Sequence, residues 1–330
     1  MIDTGQPVDA LDVVGIGNAI VDVLTHEDDA FVEANGLVKG SMTLVDTDRA
    51  EELYAAMGRA VEASGGSAAN TISGVASFGG KAAYIGKVAA DSLGDVFRHD
   101  LRAVGVTYEN EPGDADVPTG RCLIVVTPDA QRTMNTFLGV SSLLVPADVD
   151  EALVARAEVV YLEGYLFDRD GAKEAYRKAS AAAHAAGGKV SLTLSDSFCV
   201  DRHRDDFRDL VSGQVDVLFC NEDELIALYE ASSLDDALRA VRYDCEVAAV
   251  TLGKEGSVVV TPDGTVSVAA HPVVEVVDTT GAGDLYAAGF LYGLTHGRSL
   301  ADCGRLGSVA AAEVIAHVGA RPNVPLRRLI

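Results

Sequence analysis

Short apolar segments alternate with segments of helical periodicity along most of this 330-residue chain. The first apolar segment, residues 11–17, is rich in Val and ends in glycine, which is typical of a buried strand. The same criteria predict strands at 82–88, 159–162, 190–194, 215–219 and 248–252, and helices at 48–63, 67–78, 93–104, 171–186 and from residues 222 and 234. Because strands that alternate with helices form mainly parallel sheets, the sequence predicts an α/β fold with helices on both faces of the sheet.

Two segments depart from this alternation and are predicted to be partly exposed β structure. Residues 41–46 are one, and residues 120–138, with the pattern strand, Pro-Asp-Ala turn, strand, are the other. Each lies beside a segment with candidate site residues, so we expect the two to pair into a small β lid over the end of the main sheet. The alternative is that they extend the main sheet at one edge. We predict a single domain, 1–330, with a lid of about 23–63 and 113–139 inserted in it.

The chain is strongly acidic, with 26 Lys and Arg residues against 50 Asp and Glu residues and a formal net charge of −24. Nucleic-acid binding needs basic residues that displace counterions from the phosphate backbone, so DNA and RNA are not expected as partners. No apolar run reaches the ~18 residues of a membrane span, and the acidic start lacks the positive charge of a secretion signal. We therefore expect a cytoplasmic protein without a membrane partner.

The cysteines indicate neither a disulfide framework nor a zinc site. Their number is odd, five, and they are scattered without a C-x-x-C pair. We expect them to be reduced packing residues.

The segment D-T-T-G-A-G-D at residues 278–284 carries the most chemistry and leads into an amphipathic helix. Gly281 and Gly283 leave the backbone unobstructed where that helix begins. Free N–H groups at a helix N terminus, together with the helix dipole, form an anion site that can stabilise charge on a transferred phosphoryl group. The Asp284 carboxylate falls in the first turn, where the alternative role is simply to complement the dipole.

Two further segments follow predicted strands. Asn221 and Glu224 share one face at a helix start, where an amide and a carboxylate could hold the waters of a Mg²⁺ ion. The alternative is a capped helix start with surface acids. Thr251, Gly253 and Gly256 lie in a loop after the next strand, a place for a nucleotide at the carboxyl end of a parallel sheet, or a plain turn.

Residues near the N terminus suit a sugar. Gly65 and Gly66 permit close backbone approach at a helix entrance, and Asn70 can hydrogen-bond substrate hydroxyls. Asp22, expected just after a strand, can accept two hydroxyl hydrogen bonds. Ile20 stands where a dinucleotide fingerprint has its third glycine, so we reject that motif, and the sequence contains neither a P-loop nor G-x-S-x-G.

Three segments resemble the PfkB, or ribokinase-like, carbohydrate and nucleoside kinases. These are G-G-S-A-A-N and its continuation over residues 65–94, the N-x-x-E at residues 221–224, and D-T-T-G-A-G-D-L-Y-A-A-G-F at residues 278–290. The resemblance covers nearly the whole chain in the family's order. G-N-A-I-V-D at residues 17–22 and S-M-T-L-V-D at residues 41–46 resemble the adenosine kinase branch more than ribokinases.

The resemblance implies a three-layer α/β/α fold with a small β lid and ATP-dependent phosphoryl transfer. It implies that Asp284 is the general base and that the amides of Gly281, Ala282 and Gly283 hold the phosphoryl charge. Mg²⁺ would be held through water by Asn221 and Glu224. Arg132, in the lid, resembles the family arginine that reaches the transferring phosphate; the alternative is a solvated hairpin arginine.

The resemblance also implies binding residues. The sugar ring would contact Asn18, Asp22, Gly65, Gly66 and Asn70, and a nucleobase would face Met42, Leu44 and Met134, whose alternative role is lid packing. ATP would contact Asn221, Thr251, Gly253, Gly256, Thr280, Gly281 and Gly283. Asp278 and Thr280 are candidates for a monovalent cation such as K⁺, and Glu163 could bind an extra sugar hydroxyl. Met42 stands where some adenosine kinases have a polar residue that can touch the base, which weakens the nucleoside assignment.

The leading hypothesis is a kinase of the 5′-hydroxyl of adenosine that gives AMP and ADP, in purine salvage. The first alternative is a kinase of ribose, fructose or a related sugar. A non-catalytic nucleoside-binding or sugar-binding regulatory protein is the second, and the intact Asp284 and glycines argue against it. The partner is expected to be a small molecule, and the chain a monomer or a homodimer.

Overall fold

The computed structural model describes residues 10–113, 116–129 and 131–330. The acidic first nine residues and Ala130 of the predicted turn lie outside the described residues. Within the described ranges, no helix combines the length and the apolar character that a membrane crossing requires.

The described strands and helices follow one another from an N-terminal strand to a C-terminal helix pair. The strands are β1 Leu11–Ile16, β2 Ile20–His26, β3 Met42–Leu44, β4 Val61–Gly65, β5 Ala82–Ile85, β6 Gly120–Val126, β7 Arg132–Phe137, β8 Ala157–Glu163, β9 Lys189–Thr193, β10 Val217–Asn221, β11 Val247–Thr251, β12 Ser257–Thr261 and β13 Gly264–Val268. The helices are α1 Asp29–Ala34, α2 Thr47–Ala56, α3 Ser67–Phe78, α4 Ser92–Ala103, α5 Glu151–Val154, α6 Asp170–Ala185, α7 Ser197–Gln214, α8 Glu222–Tyr229, α9 Leu234–Val241, α10 Ala282–Thr295 and α11 Leu300–Val314.

The main sheet has eight described strands in the order β13-β12-β11-β10-β9-β8-β1-β5. Neighbours from β11 to β5 pair in parallel, and β12 and β13 add an antiparallel edge. Side chains alternate between the two faces of each strand. In β8, Val159 and Tyr161 pack on one side with α3, α10 and α11, while Val160 and Leu162 pack on the other with α6 and α7. The predicted α/β fold, with helices on both faces, is confirmed.

A second, five-stranded sheet has the order β3-β7-β6-β2-β4. The two segments that depart from the alternation do pair, because Met42 of β3 lies opposite Met134 of β7 in parallel register. They belong to a separate sheet and do not extend the edge of the main one. On β2, Val21 and Val23 are fully buried on one face, whereas Asp22 lies on the other.

The predicted helix at 48–63 is wrong beyond Ala56. Met57 adopts an extended backbone, and residues 61–65 instead form β4, which pairs antiparallel with β2. Hydrogen bonding to a neighbouring strand therefore outweighs a helical pattern of apolar residues, a tertiary effect that periodicity does not record. Likewise, Asp22 does not follow a strand but lies within β2. The other predicted elements are present, with ends shifted by at most three residues.

Candidate active site

A cleft of about 1230 Å³ lies between the main sheet and the second sheet. Its floor includes Glu163, Thr193, Asn221 and Thr251, the last residues of β8, β9, β10 and β11. The carboxyl ends of parallel strands meet at one edge of a sheet, which is where α/β proteins bind ligands. The cleft thus occupies the position that the fold favours for a site.

Most of the predicted site residues line this cleft. They are Asn18, Asp22, Met42, Leu44, Gly66, Asn70, Met134, Glu163, Asn221, Glu224, Thr251, Thr280, Gly281, Ala282, Gly283 and Asp284. The predicted residues that do not line it are Gly65, Arg132, Gly253, Gly256 and Asp278.

One end of the cleft is formed by the N terminus of α10. Gly281 is the N-cap in the left-handed region, with φ 79°, and no side chain caps the helix. The first-turn N–H groups of an uncapped helix lack intrahelical acceptors and can bind an anion. The Ala282 N–H is an exception, because it donates to the Thr279 carbonyl at 3.2 Å. The three predicted amides are therefore not equivalent.

The Asp284 carboxylate is held at this helix terminus by two side chains of α3. Ser67 Oγ donates to Oδ1 at 2.6 Å, and Asn70 Nδ2 donates to Oδ2 at 2.9 Å. Burial raises the pKa of Asp284 above its ordinary value, and the two hydrogen bonds together with the charge of Arg321 oppose that rise. Sequence reasoning missed Ser67, although it lies between two residues of the predicted G-G-S-x-x-N segment.

Arg132 of β7 lies beside this end of the cleft, behind Thr280, without lining it. It forms an ion pair with Asp278 and donates to Thr280 Oγ1 at 2.7 Å. Burial alone would raise the pKa of Asp278, but hydrogen bonds from Gly319 and Thr280 and the charge of Arg132 hold it below the ordinary value. Arg132 is thus not a solvated hairpin residue. A monovalent cation at Asp278, which stays a prediction, would share that carboxylate with a guanidinium.

Asp22 lies further along the cleft on β2. Burial raises its pKa to about 6, although Arg321 and Arg132 oppose this, and the charge of Asp284 adds to it. Gly65 packs directly behind the carboxylate, since a Cβ there would lie 2.4 Å from Asp22 Oδ1. Gly66, with φ 93°, starts α3 and does line the cleft.

Glu163 and Asn18 are engaged with the protein itself. Glu163 is 1% exposed and accepts from Asn18 N at 3.2 Å, Asn18 Nδ2 at 2.8 Å and Ala68 N at 2.8 Å. Asn18 Oδ1 accepts in turn from Ser141 Oγ at 3.0 Å. Burial raises the pKa of Glu163 to about 7, although these donors oppose it. In this structure the Glu163 carboxylate anchors Asn18 and the start of α3.

Asn221 and Glu224 form a capping box at the start of α8. Asn221 Oδ1 accepts from Glu224 N at 2.8 Å, and Glu224 accepts from Asn221 N at 3.0 Å and from Asn221 Nδ2 at 2.7 Å. The alternative interpretation, a capped helix start, therefore describes the local structure, although Glu224 is buried and not a surface acid. Burial raises the pKa of Glu224 to about 7, and the charges of Asp196 and Asp223 add to this.

These residues fit a magnesium ion held through water. Glu224 and Asp196 both line the cleft and offer oxygen atoms, the ligand type that Mg²⁺ prefers. A divalent cation beside them would favour the ionised form of Glu224, whose pKa is raised mainly by burial and further by the charges of Asp196 and Asp223. Within the part of the chain that the structure describes, no cluster of three or more His, Cys, Asp or Glu side chains could bind a metal directly.

The loop after β11 corresponds largely to the plain-turn alternative. Thr251 lines the cleft, but Gly253 and Gly256 belong to the turn that leads into β12. The structure does not bring these two glycines to the cleft.

An apolar wall forms the other end of the cleft. It is one face of the second sheet and consists of Ile20, Met42, Leu44, Cys122, Ile124 and Met134. Met42 and Leu44 remain 44% and 52% exposed. Sequence reasoning missed Ile20, Cys122 and Ile124 as site residues. The β6 side chains share this face with Asp22 because β6 pairs with β2 and Cys122 lies opposite Asp22, a pairing that the sequence does not specify.

The structure has a mainly parallel sheet flanked by helices, a second β sheet over the carboxyl edge of the first, and an aspartate at a helix N terminus between the two sheets. This arrangement is the ribokinase-like fold. The sequence pattern described as "pfkB family carbohydrate kinase" matches residues 30–327, and the chain belongs to this family. The predicted resemblance is confirmed.

Two solved structures are closely similar. The adenosine kinase from Sinorhizobium meliloti is 54% identical, with a TM-score of 0.90 over 97% of this chain and 98% of that one. The probable sugar kinase protein from Rhizobium etli is 51% identical, with a TM-score of 0.90 over 97% of each chain. Among the sequence relatives, the 5-dehydro-2-deoxygluconokinase of Halalkalibacterium halodurans is 28% identical over 79% of this chain and 82% of its own length.

Proposed function

We propose that this protein is an ATP-dependent kinase that phosphorylates the 5′-hydroxyl of adenosine to give AMP and ADP. The observation that carries the proposal is that one cleft joins the N terminus of α10, the held carboxylate of Asp284 and the apolar wall. Helix amides can stabilise charge on a phosphoryl group while an adjacent carboxylate takes a proton from the acceptor. Phosphoryl transfer depends mostly on such positioning and electrostatics.

The proposed reaction is an in-line displacement at the γ-phosphorus of ATP. The 5′-oxygen forms a bond to that phosphorus while the bond to the β,γ-bridging oxygen breaks, and ADP leaves with the electron pair. The hydroxyl proton passes to Asp284, whose orientation is set by Ser67 and Asn70. Arg132, held beside the helix terminus at Thr280, adds positive charge next to the phosphoryl site.

The acceptor half of the cleft supports a nucleoside. Asn70 Oδ1 is buried without a hydrogen-bond partner among the described residues, so it is available to a substrate hydroxyl. The Asp22 carboxylate offers further acceptors, and the apolar wall beside it offers dispersion contacts to the face of a purine. The Sinorhizobium adenosine kinase, at 54% identity, supports the same acceptor.

Bound through water at Asn221 and Glu224, Mg²⁺ would neutralise charge on the phosphate oxygens of the nucleotide. The chain's own contribution there is the capping box, which fixes the Glu224 carboxylate at the cleft floor.

A sugar kinase of the same fold is the second candidate. It is favoured by the 51% identical Rhizobium protein, described as a probable sugar kinase, and by the 5-dehydro-2-deoxygluconokinase relatives. In that case the apolar wall would not contact a purine base, because a free sugar carries none.

The test is ADP formation from Mg-ATP with adenosine, guanosine, inosine, ribose, fructose and 5-dehydro-2-deoxygluconate. We expect adenosine to give the highest kcat/KM, and Met134→Ala to lower that value for adenosine while leaving the value for ribose nearly unchanged. Met57→Ala, which truncates a buried methionine outside the cleft, is the matched control.

Two other outcomes of this assay would favour the alternative functions. A free sugar with the highest kcat/KM would overturn the adenosine assignment and keep the kinase. A folded protein that binds ATP and adenosine in calorimetry but forms no ADP with any acceptor would establish the non-catalytic alternative.

A further inference from the structure

Residues 319–321, which follow α11, contact three separate segments around the cleft. Gly319 N donates to Asp278 Oδ2 at 2.8 Å. Ala320 packs against Gly281, where a Cβ would lie 2.9 Å from Ala320. The Arg321 side chain extends toward the half of the cleft that contains Asp22. One short segment therefore contacts both the turn that precedes α10 and the region that precedes α3.

The Arg321 guanidinium forms a two-pronged contact. Nη2 donates to the Ser64 carbonyl at 3.0 Å and to Ser64 Oγ at 3.1 Å, and Nη1 donates to Ser73 Oγ. Its Nε is buried with no partner among the described residues. A forked, planar group that bonds two segments restricts their relative movement more than an ammonium group can.

Both contacted serines lie next to groups that face the acceptor. Ser64 precedes Gly65, which packs against the Asp22 carboxylate. Ser73 lies on α3 one turn after Asn70, which donates to Asp284. Arg321 is thus connected to Asp22 through Ser64 and Gly65, and to Asp284 through Ser73 and Asn70.

The charges around Arg321 are mainly negative. Asp22 of β2, Asp100 of α4 and Asp284 of α10 act on it, and Arg132 of β7 also acts on Asp22. Tyr84 of β5 lies near Arg321 as a neutral phenol, because burial raises the pKa of Tyr84 well above its ordinary value. Burial lowers the pKa of Arg321 to about 10, so the side chain stays cationic at neutral pH. Its charge lowers the pKa of both Asp22 and Asp284.

We propose that Arg321 is a positioning residue: its guanidinium holds the end of β4 and helix α3 together beside the helix terminus that bears Asp284, and it places a buried positive charge near the Asp22 and Asp284 carboxylates. This inference rests on the proposed function for the identity of the acceptor. It assigns a role to a residue outside every sequence motif that points to phosphoryl transfer.

The test separates charge from shape. Arg321→Met removes both, whereas Arg321→Lys keeps the charge and loses the fork. We expect Arg321→Met to move the acidic limb of the kcat/KM profile to higher pH by about one unit. Arg321→Lys should leave the limb in place and raise the KM for the acceptor. Arg121→Met is the control, since Arg121 is a mostly buried arginine that packs on Tyr54 and Phe137, outside the cleft.

A second measurement does not depend on turnover. The ¹³C chemical shifts of the aspartate carboxyl carbons, assigned with Asp22→Asn and Asp284→Asn, report the two titrations directly in folded protein. Higher midpoints in Arg321→Met support the proposal even if the acceptor has been misassigned. Unmoved midpoints, or equal losses of activity in Arg321→Met and Arg321→Lys with an unmoved pH profile, would overturn it.

Discussion

Asn70 on α3 donates from Nδ2 to Oδ2 of Asp284 on α10 at 2.9 Å, while its own Oδ1 is buried without a partner among the described residues. One amide therefore holds the candidate base and presents a free acceptor to the cleft. Because both atoms belong to one rigid group, binding of an acceptor hydroxyl and orientation of the base are coupled.

Replacement of Asp284 by Asn tests the base. We expect kcat to fall by about 10² to 10⁴, because general-base catalysis contributes that much, with little change in ATP binding measured by calorimetry. Asp302→Asn is the matched control, since Asp302 is a half-buried aspartate in the first turn of α11 and does not line the cleft. Near-wild-type kcat in Asp284→Asn would mean that another group takes the proton.

Replacement of Asn70 by Ala should both misorient the base and remove a hydroxyl acceptor. We expect kcat/KM for adenosine to fall about 10- to 100-fold, with a higher KM and a lower kcat, since an unsatisfied buried group costs about 1–3 kcal/mol. Asn110→Ala, which removes an amide that donates to the Asp148 carbonyl outside the cleft, controls for loss of an asparagine. An unchanged KM for adenosine would mean that Asn70 Oδ1 does not bind the substrate.

The pH dependence of kcat/KM should report Asp22. Burial raises the pKa of Asp22 to about 6, so the carboxylate is ionised above that pH and protonated below it. Because the ionised form accepts hydroxyl hydrogen bonds, kcat/KM should level off about one pH unit above the pKa and fall as pH decreases through about 6. Asp22→Asn should lose the limb near pH 6 and retain only the limb set by the candidate base Asp284. A wild-type limb near pH 4 would contradict the assignment.

Magnesium should stabilise the protein through Glu224. Burial raises the pKa of Glu224 to about 7, so at pH 8 the carboxylate is mostly charged and a cation that binds there stabilises the folded state. We expect Mg²⁺ to raise the thermal midpoint of the wild-type protein at pH 8 and much less at pH 5.5, and to have little effect on Glu224→Gln. Glu222→Gln, an exposed acid in the same helix turn, should respond like the wild-type protein. An equal rise in all three proteins would place the ion elsewhere.

Local chemistry made several parts of the molecule predictable. The starts of α3, α8 and α10 were located because glycines and a capping pair mark helix starts independently of the rest of the chain. The strand and helix alternation likewise predicted the main sheet, because each element's period reflects which of its faces is buried.

Errors arose where the deciding contact is distant in sequence. Residues 61–63 continue the apolar spacing of the predicted helix, yet residues 61–65 pair with β2 as the edge strand of the second sheet. The sequence places Glu163 at the end of a strand, but it does not reveal the three donors from Asn18 and Ala68 that hold the carboxylate. Binding of a sugar hydroxyl by Glu163, which lines the cleft, stays a prediction.

The sequence by itself determined the family, the α/β class and the segment that contains Asp284, because these depend on local periodicity and on short motifs. Only the tertiary structure decided which side chains hold Asp284, that Arg132 pairs with Asp278, and that Arg321 reaches Ser64 and Ser73. Those relationships join residues more than 100 positions apart, and such contacts form only when helices and sheets pack. The physical reason is that packing brings charges and hydrogen-bond donors together according to the three-dimensional path of the chain, which local propensity does not encode.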